Sequence, residues 1–411
     1  MNLIQEFRER GLLAQCTNIE AVEDSLKKQK VTFYIGFDAT APSLTIGHFM
    51  AFKTIKYFQD EGHKAIVIFG GATTLIGDPT GKTDMRPMLS KEEIDKNIEN
   101  FKKQADKYIP GALYLNNADW LCEIKYVDML REIGVHFSVN KMLTAESVKS
   151  RFEKGLSFLE FNYMIMQGYD FYKLYKDYNC VLQCGGDDQW SNMLAGADLI
   201  RRKEQKEAHV LTTSLLPGAD GVKMGKTAGN AIWLDPNLTS PYDLYQNYRN
   251  TDDSIVINYL KMMTYVPVEE INEMAKNFTD AKNINAAKDR LAFEVTKMIH
   301  GEEEAIKTQT AAKAVFYGGS DDANMPTTTL SEIDFNGKDD ISVIDLLVLG
   351  KLALNSKNEP SKGEARRLIE QGGIFVGEEK VPDTGYCVSR KDIENGIIIK
   401  KGKKVFHKIV L

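Results

Sequence analysis

The chain has 411 residues, 43% hydrophobic and 27% charged. At roughly 100–200 residues a domain this is globular composition for about two to four domains, and it excludes collagen-like, disordered and disulfide-scaffold proteins. Five cysteines, an odd number without a C-x-x-C pair, exclude a disulfide framework and a zinc ribbon. The longest apolar stretch is far shorter than the ~20 residues of a membrane-spanning helix, and the N-terminus lacks a signal-peptide core. A cytoplasmic protein without membrane contact is expected.

The net charge of −6 is unevenly distributed along the chain. Residues 351–411 carry thirteen Lys/Arg against eight Asp/Glu, a charge of +5, which leaves −11 for the first 350 residues. A basic tail on an acidic body predicts nucleic-acid contact confined to the last module. The alternative is a basic surface that is merely solvated.

Short β-branched and aromatic runs alternate with helix-like stretches in the first half of the chain. The predicted strands are 31–37, 65–71, 179–185 and 209–213, and the predicted helices between them are 47–61 and 189–203. This βαβ order predicts an α/β fold with a Rossmann-like parallel sheet. Ligands of such sheets bind beyond the carboxyl ends of the strands.

Four segments follow from the change of pattern along the chain. Residues 1–240 form the predicted parallel-sheet domain, and 241–317 are helical and poor in glycine, which predicts an all-α domain. Residues 318–340 are rich in Gly, Asp, Asn and Thr and are predicted to be a linker. Residues 341–411 then form a small α+β module that ends in strand-rich sequence.

The string GDPTGKT, residues 77–83, is not a P-loop. With Gly81-Lys82-Thr83 as the terminal G-K-T, the first glycine would have to be residue 76, which is isoleucine. Gly81, Lys82 and Arg86 still form a glycine-containing basic loop that could neutralise a polyphosphate. A surface turn is the alternative.

Two further strings indicate a phosphate-binding site more strongly. DATAPSLTIGH, residues 38–48, is a strand end that leads into a helix N-terminus, where backbone N–H groups favour phosphate. ADGVKMGKT, residues 219–227, is a turn with two lysines three residues apart. In this order they resemble the HIGH and KMSKS signatures of class I aminoacyl-tRNA synthetases, with Thr45-Ile46-Gly47-His48 and Lys223-Met224-Gly225-Lys226-Thr227 as the matching residues.

The strings YIGFD (34–38), LIGDP (75–79), FNYMIMQGYD (161–170) and QCGGDDQW (183–190) are similar to those of bacterial tyrosyl-tRNA synthetases. PSKGEARRLIEQGGIFV (360–376) resembles the S4-type RNA-binding module. The resemblance implies a catalytic domain, an α-helical tRNA-binding domain and an S4-like domain in a homodimer. It also implies an enzyme that forms tyrosyl-adenylate and diphosphate from L-tyrosine and Mg-ATP and then transfers tyrosyl to the 3′-terminal adenosine of tRNA(Tyr). No protein-ligated metal is expected.

Tyr163, Gln167 and Asp170 are spaced i, i+4 and i+7, so one helix face presents a phenol, an amide and a carboxylate to a common point. The alternative is that these three side chains belong to an ordinary row of core residues along the helix. The resemblance implies that Asp170 and Tyr34 bind the substrate phenol. The remaining substrate-binding residues that it implies, around the ammonium group and the amino acid, are Tyr163, Gln167, Asp78, Gln183 and Gln189.

The resemblance also assigns the nucleotide site. Gly36 and Gly186 lack a side chain that would block the ribose, and Asp188 can accept from its hydroxyls. The implied ATP-binding residues are Gly36, Asp38, Gly47, Gly186, Asp188 and Lys226. The implied catalytic residues are Thr40, Thr45, His48, Lys82, Arg86, Lys223, Lys226 and Thr227. Because the attacking carboxylate is already anionic, activation needs no protein base, only positioning and charge on the departing diphosphate.

Thr45 departs from the family, which usually has histidine there. Its hydroxyl is shorter than imidazole and never cationic. Either it works together with Thr40, or activation is slower than in typical relatives. A catalytically weak paralogue acting as an RNA-binding or regulatory protein is therefore the alternative function, and tryptophanyl-tRNA synthetase is the alternative within the class. Tyr34 and Asp170 favour a phenol over an indole.

The basic tail supplies the predicted tRNA contacts. Lys362, Arg366 and Arg367 lie on the predicted S4-like helix, and Lys400, Lys401, Lys403 and Lys404 follow near the chain end. These residues are expected to hold tRNA through its phosphates. Residues 135–142 (VHFSVNKM) are the candidate for the dimer interface, with an ordinary core segment as the alternative.

Overall fold

The computed structural model describes residues 2–80, 88–145, 148–149, 155–218, 231–317, 326–335, 337–355, 359–402 and 405–411, with side chains omitted for 314–317. The chain divides into two compact units. The first comprises Met1–Pro217 with Lys261–Met263, and the second comprises Gly218–Leu260 with Thr264–Leu411.

A six-stranded sheet organises the first unit. Its strands are β1 Leu13–Cys16, β2 Thr32–Phe37, β3 Lys64–Phe69, β4 Leu113–Asn116, β5 Cys180–Gly186 and β6 His209–Thr213. They lie in the order β1-β6-β5-β2-β3-β4. All neighbours are parallel except β1, which pairs antiparallel with β6. The prediction of a parallel α/β sheet is confirmed, with one antiparallel edge strand added.

Helices accompany this sheet along the first unit. They are α1 Leu3–Glu9, α2 Ile19–Lys28, α3 Ile46–Asp60, α4 Thr73–Ile76, α5 Lys91–Tyr108, α6 Ala118–Leu121, α7 Tyr126–Asp128, α8 Val139–Leu143, α9 Phe158–Phe161, α10 Tyr163–Tyr178 and α11 Trp190–Glu204. Polar residues cap several of them at the N-terminus: Ser90 and Glu93 form a capping box at α5, and Asn18 caps α2. The predicted helices 47–61 and 189–203 are α3 and α11 within one residue at each end.

The strand order places a switch point beside β2. From β2 the chain adds β3 and β4 on one side, and β5 and β6 lie on the other. Connections that leave in opposite directions open a crevice at the carboxyl ends of the two central strands, where α/β folds bind ligands. The residues that follow β2 and those that end β5 therefore meet at one edge of the sheet.

The second unit begins with helices. These are α12 Pro241–Arg249, α13 Val256–Met263, whose last three residues belong to the first unit, α14 Val268–Lys276, α15 Ala281–His300 and α16 Glu302–Tyr317. Asp289 of α15 accepts hydrogen bonds from Tyr245 (2.5 Å) on α12 and from Gln309 (2.7 Å) on α16. One carboxylate thus joins three helices. The predicted helical character of 241–317 is confirmed.

A second core lies near the chain end. Strands β7 Thr327–Thr329, β9 Ile374–Val376, β10 Glu379–Lys380, β12 Ile397–Lys401 and β13 Val405–Val410 form a five-stranded sheet in the order β10-β9-β12-β13-β7, and β8 Asp340–Ser342 pairs with β11 Cys387–Ser389. Helices α17 Val343–Leu349, α18 Lys362–Glu370 and α19 Arg390–Glu394 complete it.

Part of the predicted linker belongs to this C-terminal core. β7 pairs parallel with β13, and Leu330 and Phe335 are buried with the core residues. The high Thr and Asp content of the segment is typical of a linker, so the sequence pattern does not indicate that Leu330 and Phe335 are buried. Describing all of 318–340 as a linker is therefore wrong for 327–335, and residues 318–325 lie outside the described residues.

Among the residues that the structure describes, no helix is both long and apolar enough to cross a membrane.

Candidate functional site

Side chains from β2, β3, β5 and α10 meet at the carboxyl edge of the first sheet. Tyr34 on β2 pairs in register with Gln183 on β5, so the two predicted site residues are brought onto adjacent strands. Both are buried. The α10 residues Tyr163 and Asp170 are buried as well. The predicted helix face therefore points into the protein.

Tyr34 and Asp170 form the inner end of the site. The Tyr34 ring lies against Phe171, the neighbour of Asp170, with ring centroids 5.3 Å apart. Burial, with the charge of Asp170, raises the pKa of Tyr34 well above its ordinary value. The Asp170 carboxylate accepts hydrogen bonds from Asn117 Nδ2 (3.0 Å) and Trp120 Nε1 (2.7 Å). Burial raises its pKa to about 7, although these two donors favour the ionised form.

A second carboxylate, Asp38, lies where β2 ends. It accepts hydrogen bonds from Tyr163 Oη (2.9 Å) and from Thr73 Oγ1 (2.7 Å). Thr73 in turn accepts from Asn117 Nδ2 (3.0 Å). Asp38 is thus tied to α10 and, through Thr73 and Asn117, to the Asp170 carboxylate.

Asp78 and Gln189 form the third polar group. Gln189 Nε2 donates to Asp78 Oδ2 at 2.7 Å, and Asp78 Oδ1 accepts the backbone N–H of Thr80 at 2.9 Å. Gln189 Oε1 accepts from Asn192 at 3.2 Å. The structure therefore brings together two residues that are 111 positions apart in sequence.

Several buried polar atoms at this edge have no partner among the described residues. They are Tyr34 Oη, Gln167 Oε1, Gln183 Oε1 and Thr80 Oγ1. Leaving a buried polar atom unsatisfied costs about 1–3 kcal/mol, and such atoms in folded proteins call for an explanation. Three of the four belong to residues that the sequence assigns to substrate binding. Their concentration at one edge indicates a ligand with several hydrogen-bonding groups.

Glycines leave room at the strand ends. A Cβ built on Gly36 meets only the Ile68 carbonyl, at 4.0 Å, so the space above β2 is open. A Cβ on Gly186 would lie 2.9 Å from Asp188 Oδ1, so this position needs glycine if Asp188 is to keep its place. Gly47 is exposed in the first turn of α3. These positions suit the close approach of a sugar and phosphates.

Thr45 and His48 contact each other at the start of α3. The Thr45 backbone N–H donates to His48 Nδ1 at 3.0 Å, and Thr45 Oγ1 lies 2.9 Å from the same nitrogen. Because the backbone group can only donate, Nδ1 is unprotonated and the neutral ring carries its proton on Nε2. The ring is held between Phe37 and Phe101. Thr40, whose backbone N–H donates to the Asp38 carbonyl at 3.0 Å, lies on the same turn.

The predicted residues of the two basic loops, Lys82, Arg86, Lys223, Lys226 and Thr227, lie outside the described residues.

The predicted tRNA-binding residues Lys362, Arg366 and Arg367 are exposed on α18. Lys362 pairs with Asp345 at 2.7 Å and Arg367 with Glu364 at 2.6 Å. Exposed pairs of this kind are weak, so the cations can exchange these partners for phosphates.

Two lysines near the chain end are already engaged. Lys400 pairs with Glu378 at 2.5 Å. Lys401 donates to the Leu352 carbonyl at 2.7 Å, and burial lowers its pKa. Lys401 therefore has a partner within the module's own backbone, and its contact with phosphate stays a prediction. Lys403 and Lys404 lie outside the described residues.

The sequence analysis missed Thr73, Asn117 and Trp120. A signal was available: Asn116 and Asn117 directly follow the apolar run LYL of β4, and polar residues after a parallel strand often face the ligand edge. The apolar run has only three residues, which is too short to predict a strand from sequence.

Two family models match almost the whole chain. Residues 26–317 match the class I tRNA synthetases for W and Y, and residues 321–409 match the C-terminal domain of SYY-like tyrosine–tRNA ligases. The tyrosine–tRNA ligase of Acetivibrio thermocellus is 52% identical over 100% of this chain and 99% of its own length. That of Clostridium botulinum strain Hall is 51% identical with the same coverage.

Solved structures agree with these relatives. A C-terminally truncated mitochondrial tyrosyl-tRNA synthetase from Aspergillus nidulans superposes with a TM-score of 0.67 at 28% identity, covering 76% of this chain and 94% of that one. The corresponding Coccidioides posadasii structure gives 0.64 at 30% identity, covering 75% and 90%.

Fold, site and matches define a class I aminoacyl-tRNA synthetase. Within that class the chain belongs to the tyrosine–tRNA ligase family. The predicted fold class, enzyme class and tyrosine–tRNA ligase function are thereby confirmed. The tryptophanyl and weak-paralogue alternatives gain no support, because these full-length relatives are tyrosine–tRNA ligases.

Proposed function

We propose that the carboxyl edge of the first sheet binds L-tyrosine with its phenol toward Tyr34 and Asp170. The observation that carries the proposal is the buried Tyr34 hydroxyl without a partner beside a buried carboxylate. A phenol can donate to Asp170 and accept from Tyr34, which satisfies both groups at once. Phenylalanine would leave them unpaired, and tyrosyl-tRNA synthetases are themselves the standing example of discrimination by this effect.

The ammonium group of tyrosine is assigned to the outer part of the same edge. Asp78 supplies charge, and Tyr163 and Gln167 supply acceptor oxygens on the α10 face. Gln183 and Gln189 flank the amino acid from β5 and the turn that follows it. Asp38 lies between this group and the nucleotide. Since an ammonium group has three donors, the unpartnered Gln167 oxygen and the Asp78 carboxylate are suitable recipients.

ATP, as its magnesium complex, is assigned to the open side of β2 and the start of α3. Gly36, Gly47 and Gly186 admit the sugar and phosphates, and Asp188 accepts from the ribose. The helix N-terminus favours the phosphates through its N–H groups and dipole. Thr40, Thr45 and His48 contact the triphosphate. Lys82, Arg86, Lys223 and Lys226 bring positive charge to the departing diphosphate, and Thr227 brings a hydroxyl group for hydrogen bonding.

The proposed reaction has two displacements. The tyrosine carboxylate attacks the α-phosphorus of ATP in line, a C–O–P bond forms, and diphosphate leaves. A ribose hydroxyl of the tRNA 3′-terminal adenosine then attacks the carbonyl carbon of the adenylate, and AMP leaves. The enzyme contributes orientation and stabilisation of negative charge in both steps.

The tRNA is assigned to residues 241–411, where the helical segment contacts the anticodon region and the C-terminal module holds phosphates. Exposed Arg366, together with the exposed pairs of Lys362 and Arg367, supports the second part. We propose domains at 1–240 and 241–317, with the C-terminal domain extended back to Thr327 because β7 belongs to its sheet. The enzyme acts in the cytoplasm, where protein synthesis takes place.

A homodimer is proposed through the stretch 126–159. This stretch exposes large apolar side chains: Tyr126, Val127, Val135, Val139 and Phe158 are each 58–69% accessible. The predicted interface segment 135–142 supplies two of them. Exposed apolar side chains concentrated in one stretch mark an association site. In a symmetric dimer the same stretch of each copy would cover that of the other.

Tyrosine-dependent exchange of labelled pyrophosphate into ATP, followed by charging of tRNA(Tyr), tests the function. We expect exchange with tyrosine, far less with phenylalanine and none with tryptophan. Absence of tyrosine-dependent exchange in a folded protein would contradict the proposal. Tight tRNA binding without exchange would instead favour the RNA-binding paralogue.

A further inference from the structure

The side chain of Asn117, which follows β4, makes three hydrogen bonds. Its Oδ1 accepts the backbone N–H of Ala72 at 2.9 Å, and its Nδ2 donates to Thr73 Oγ1 and to Asp170 Oδ2, each at 3.0 Å. The residue is 1% exposed. No proposed substrate contact falls on Asn117 itself.

These partners fix the direction of every bond. The Ala72 N–H can only donate, so it identifies the Asn117 oxygen and leaves the NH₂ group facing Thr73 and Asp170. Thr73 Oγ1 accepts from Asn117, so its own proton is directed to Asp38 Oδ1, 2.7 Å away. One amide therefore orients Asp170 directly and Asp38 through one hydroxyl.

The backbone is shaped for this arrangement. A Cβ on Gly70 would lie 2.2 Å from Asp38 Oδ1 and 2.3 Å from Thr73 Oγ1. Asn116, one position before Asn117, accepts the N–H groups of Gly71 (3.1 Å) and Ala118 (3.0 Å) and holds the same turn from its backbone side. The close contacts need both the glycine and the two asparagines.

We propose that Asn117 is a positioning residue that orients two carboxylates of the tyrosine site, Asp170 and Asp38, so that its loss weakens recognition of the phenol and of the ammonium group together. The inference rests on the proposed roles of Asp170 at the phenol and of Asp38, with Tyr163, beside the ammonium group. Changing either carboxylate alone affects one end, whereas changing Asn117 affects both.

Two ratios, both measured on the full-length protein, report separately on recognition of the phenol and of the ammonium group of tyrosine. The ratio of kcat/KM for tyrosine to that for phenylalanine in pyrophosphate exchange reports on the phenol. The ratio of inhibition constants for 4-ethylphenol and tyramine, which differ only by the ammonium group, reports on the other end. Asn117→Asp keeps the acceptor for the Ala72 N–H and loses both donors. The other variants are Asp170→Asn, Thr73→Val and Thr73→Ser. Asn116→Asp is the matched control, because its oxygen still accepts both backbone N–H groups.

Asn117→Asp should lower both ratios by about 10-fold or more, the effect of losing a hydrogen bond to a charged group. Asp170→Asn should lower only the tyrosine/phenylalanine ratio, and Thr73→Val only the 4-ethylphenol/tyramine ratio. Thr73→Ser should restore the latter, and Asn116→Asp should leave both unchanged.

An Asn117→Asp effect at the phenol end alone overturns the proposal, as does an ammonium ratio that Thr73→Val leaves unchanged. If Asp170→Asn itself preserves the tyrosine/phenylalanine ratio, the assigned phenol site fails instead. Should Asn117→Asp not unfold cooperatively, the Thr73→Val and Thr73→Ser pair decides: equal ammonium ratios in both contradict the hydroxyl relay.

Discussion

Tyr34 and Asp170 are both buried, and their polar groups fit a binding site better than an ordinary core. A core tyrosine normally finds a partner for its hydroxyl, yet Tyr34 Oη has none among the described residues. Under the proposed function, the phenol of bound tyrosine supplies the missing partner.

Tyr34→Phe should therefore have two effects of opposite sign. Preference for tyrosine over phenylalanine should fall by about 0.5–1.5 kcal/mol, one neutral hydrogen bond, while the ligand-free protein should be at least as stable because a buried unsatisfied hydroxyl is gone. Exchange kinetics and urea unfolding measure the two. A destabilised variant with unchanged preference would mean that the hydroxyl is structural.

Asp170→Asn should reduce the preference for tyrosine far more. The two carboxylate oxygens of Asp170 accept from Asn117 and from Trp120. In asparagine one of these oxygens becomes an NH₂ group, which would point a donor at a donor. The same exchange assay checks this, with Asp177→Asn on the outer end of α10 as a surface control. Loss of preference no greater than in Tyr34→Phe would argue against a carboxylate at the phenol.

Thr45 is the residue at which this chain departs from its family's signature. Because imidazole reaches farther and can carry charge, Thr45→His should raise the single-turnover rate of adenylate formation and leave tyrosine affinity nearly unchanged. Thr45→Ser, which keeps the hydroxyl beside His48, is the control. A slower Thr45→His variant would show that the contact between Thr45 and His48 is itself required.

At the scale of elements, the turn between α3 and β3 carries a pH-sensitive contact. His63 Nδ1 accepts the backbone N–H of Val31 at 3.2 Å, just before β2. Burial, with the positive charge of Lys30, lowers the His63 pKa below its ordinary value. The unfolded chain therefore binds the proton more readily. The stability from this contact is complete above about pH 6.5 and is lost as the pH falls through the lower folded pKa.

His63→Asn keeps an acceptor for Val31 but cannot be protonated. We expect it to be less stable than the wild type at pH 8 and to close that gap toward pH 5, measured by urea unfolding at each pH. Some pH dependence should persist, because burial also lowers the pKa of His209 and His407. Parallel stability curves for the two proteins would exclude His63 as a source of acid sensitivity.

The elements show what the sequence can and cannot predict. β2, β5 and α10 were predictable because apolar runs and helical spacing are local, and Tyr163, Gln167 and Asp170 followed from that spacing. The role of Asn117 was not, since its partners Thr73 and Asp170 lie 44 and 53 residues away. Counting charges also could not show that the Lys401 ammonium group donates to the Leu352 carbonyl.

At the scale of the whole molecule, we assign separate tasks to the acidic body and to the basic tail. Under the proposed assignments, a chain that ends at Tyr317 should form the proposed dimer and tyrosyl-adenylate, but it should lose tRNA charging. Sedimentation, pyrophosphate exchange and aminoacylation measure these properties, and tRNA affinity of the full-length protein should fall steeply with salt. A truncated protein that charges tRNA as well as the intact one would leave the basic tail as solvated surface.

The central claim is that tyrosine lies along the carboxyl edge of the first sheet, phenol inward. A crystal structure of the protein with L-tyrosine tests it most directly. The account predicts the phenolic oxygen within hydrogen-bond distance of Tyr34 Oη and the Asp170 carboxylate, and the ammonium nitrogen beside Asp78, Tyr163 and Gln167. Tyrosine bound in the reverse orientation, or away from Tyr34 and Asp170, would contradict it.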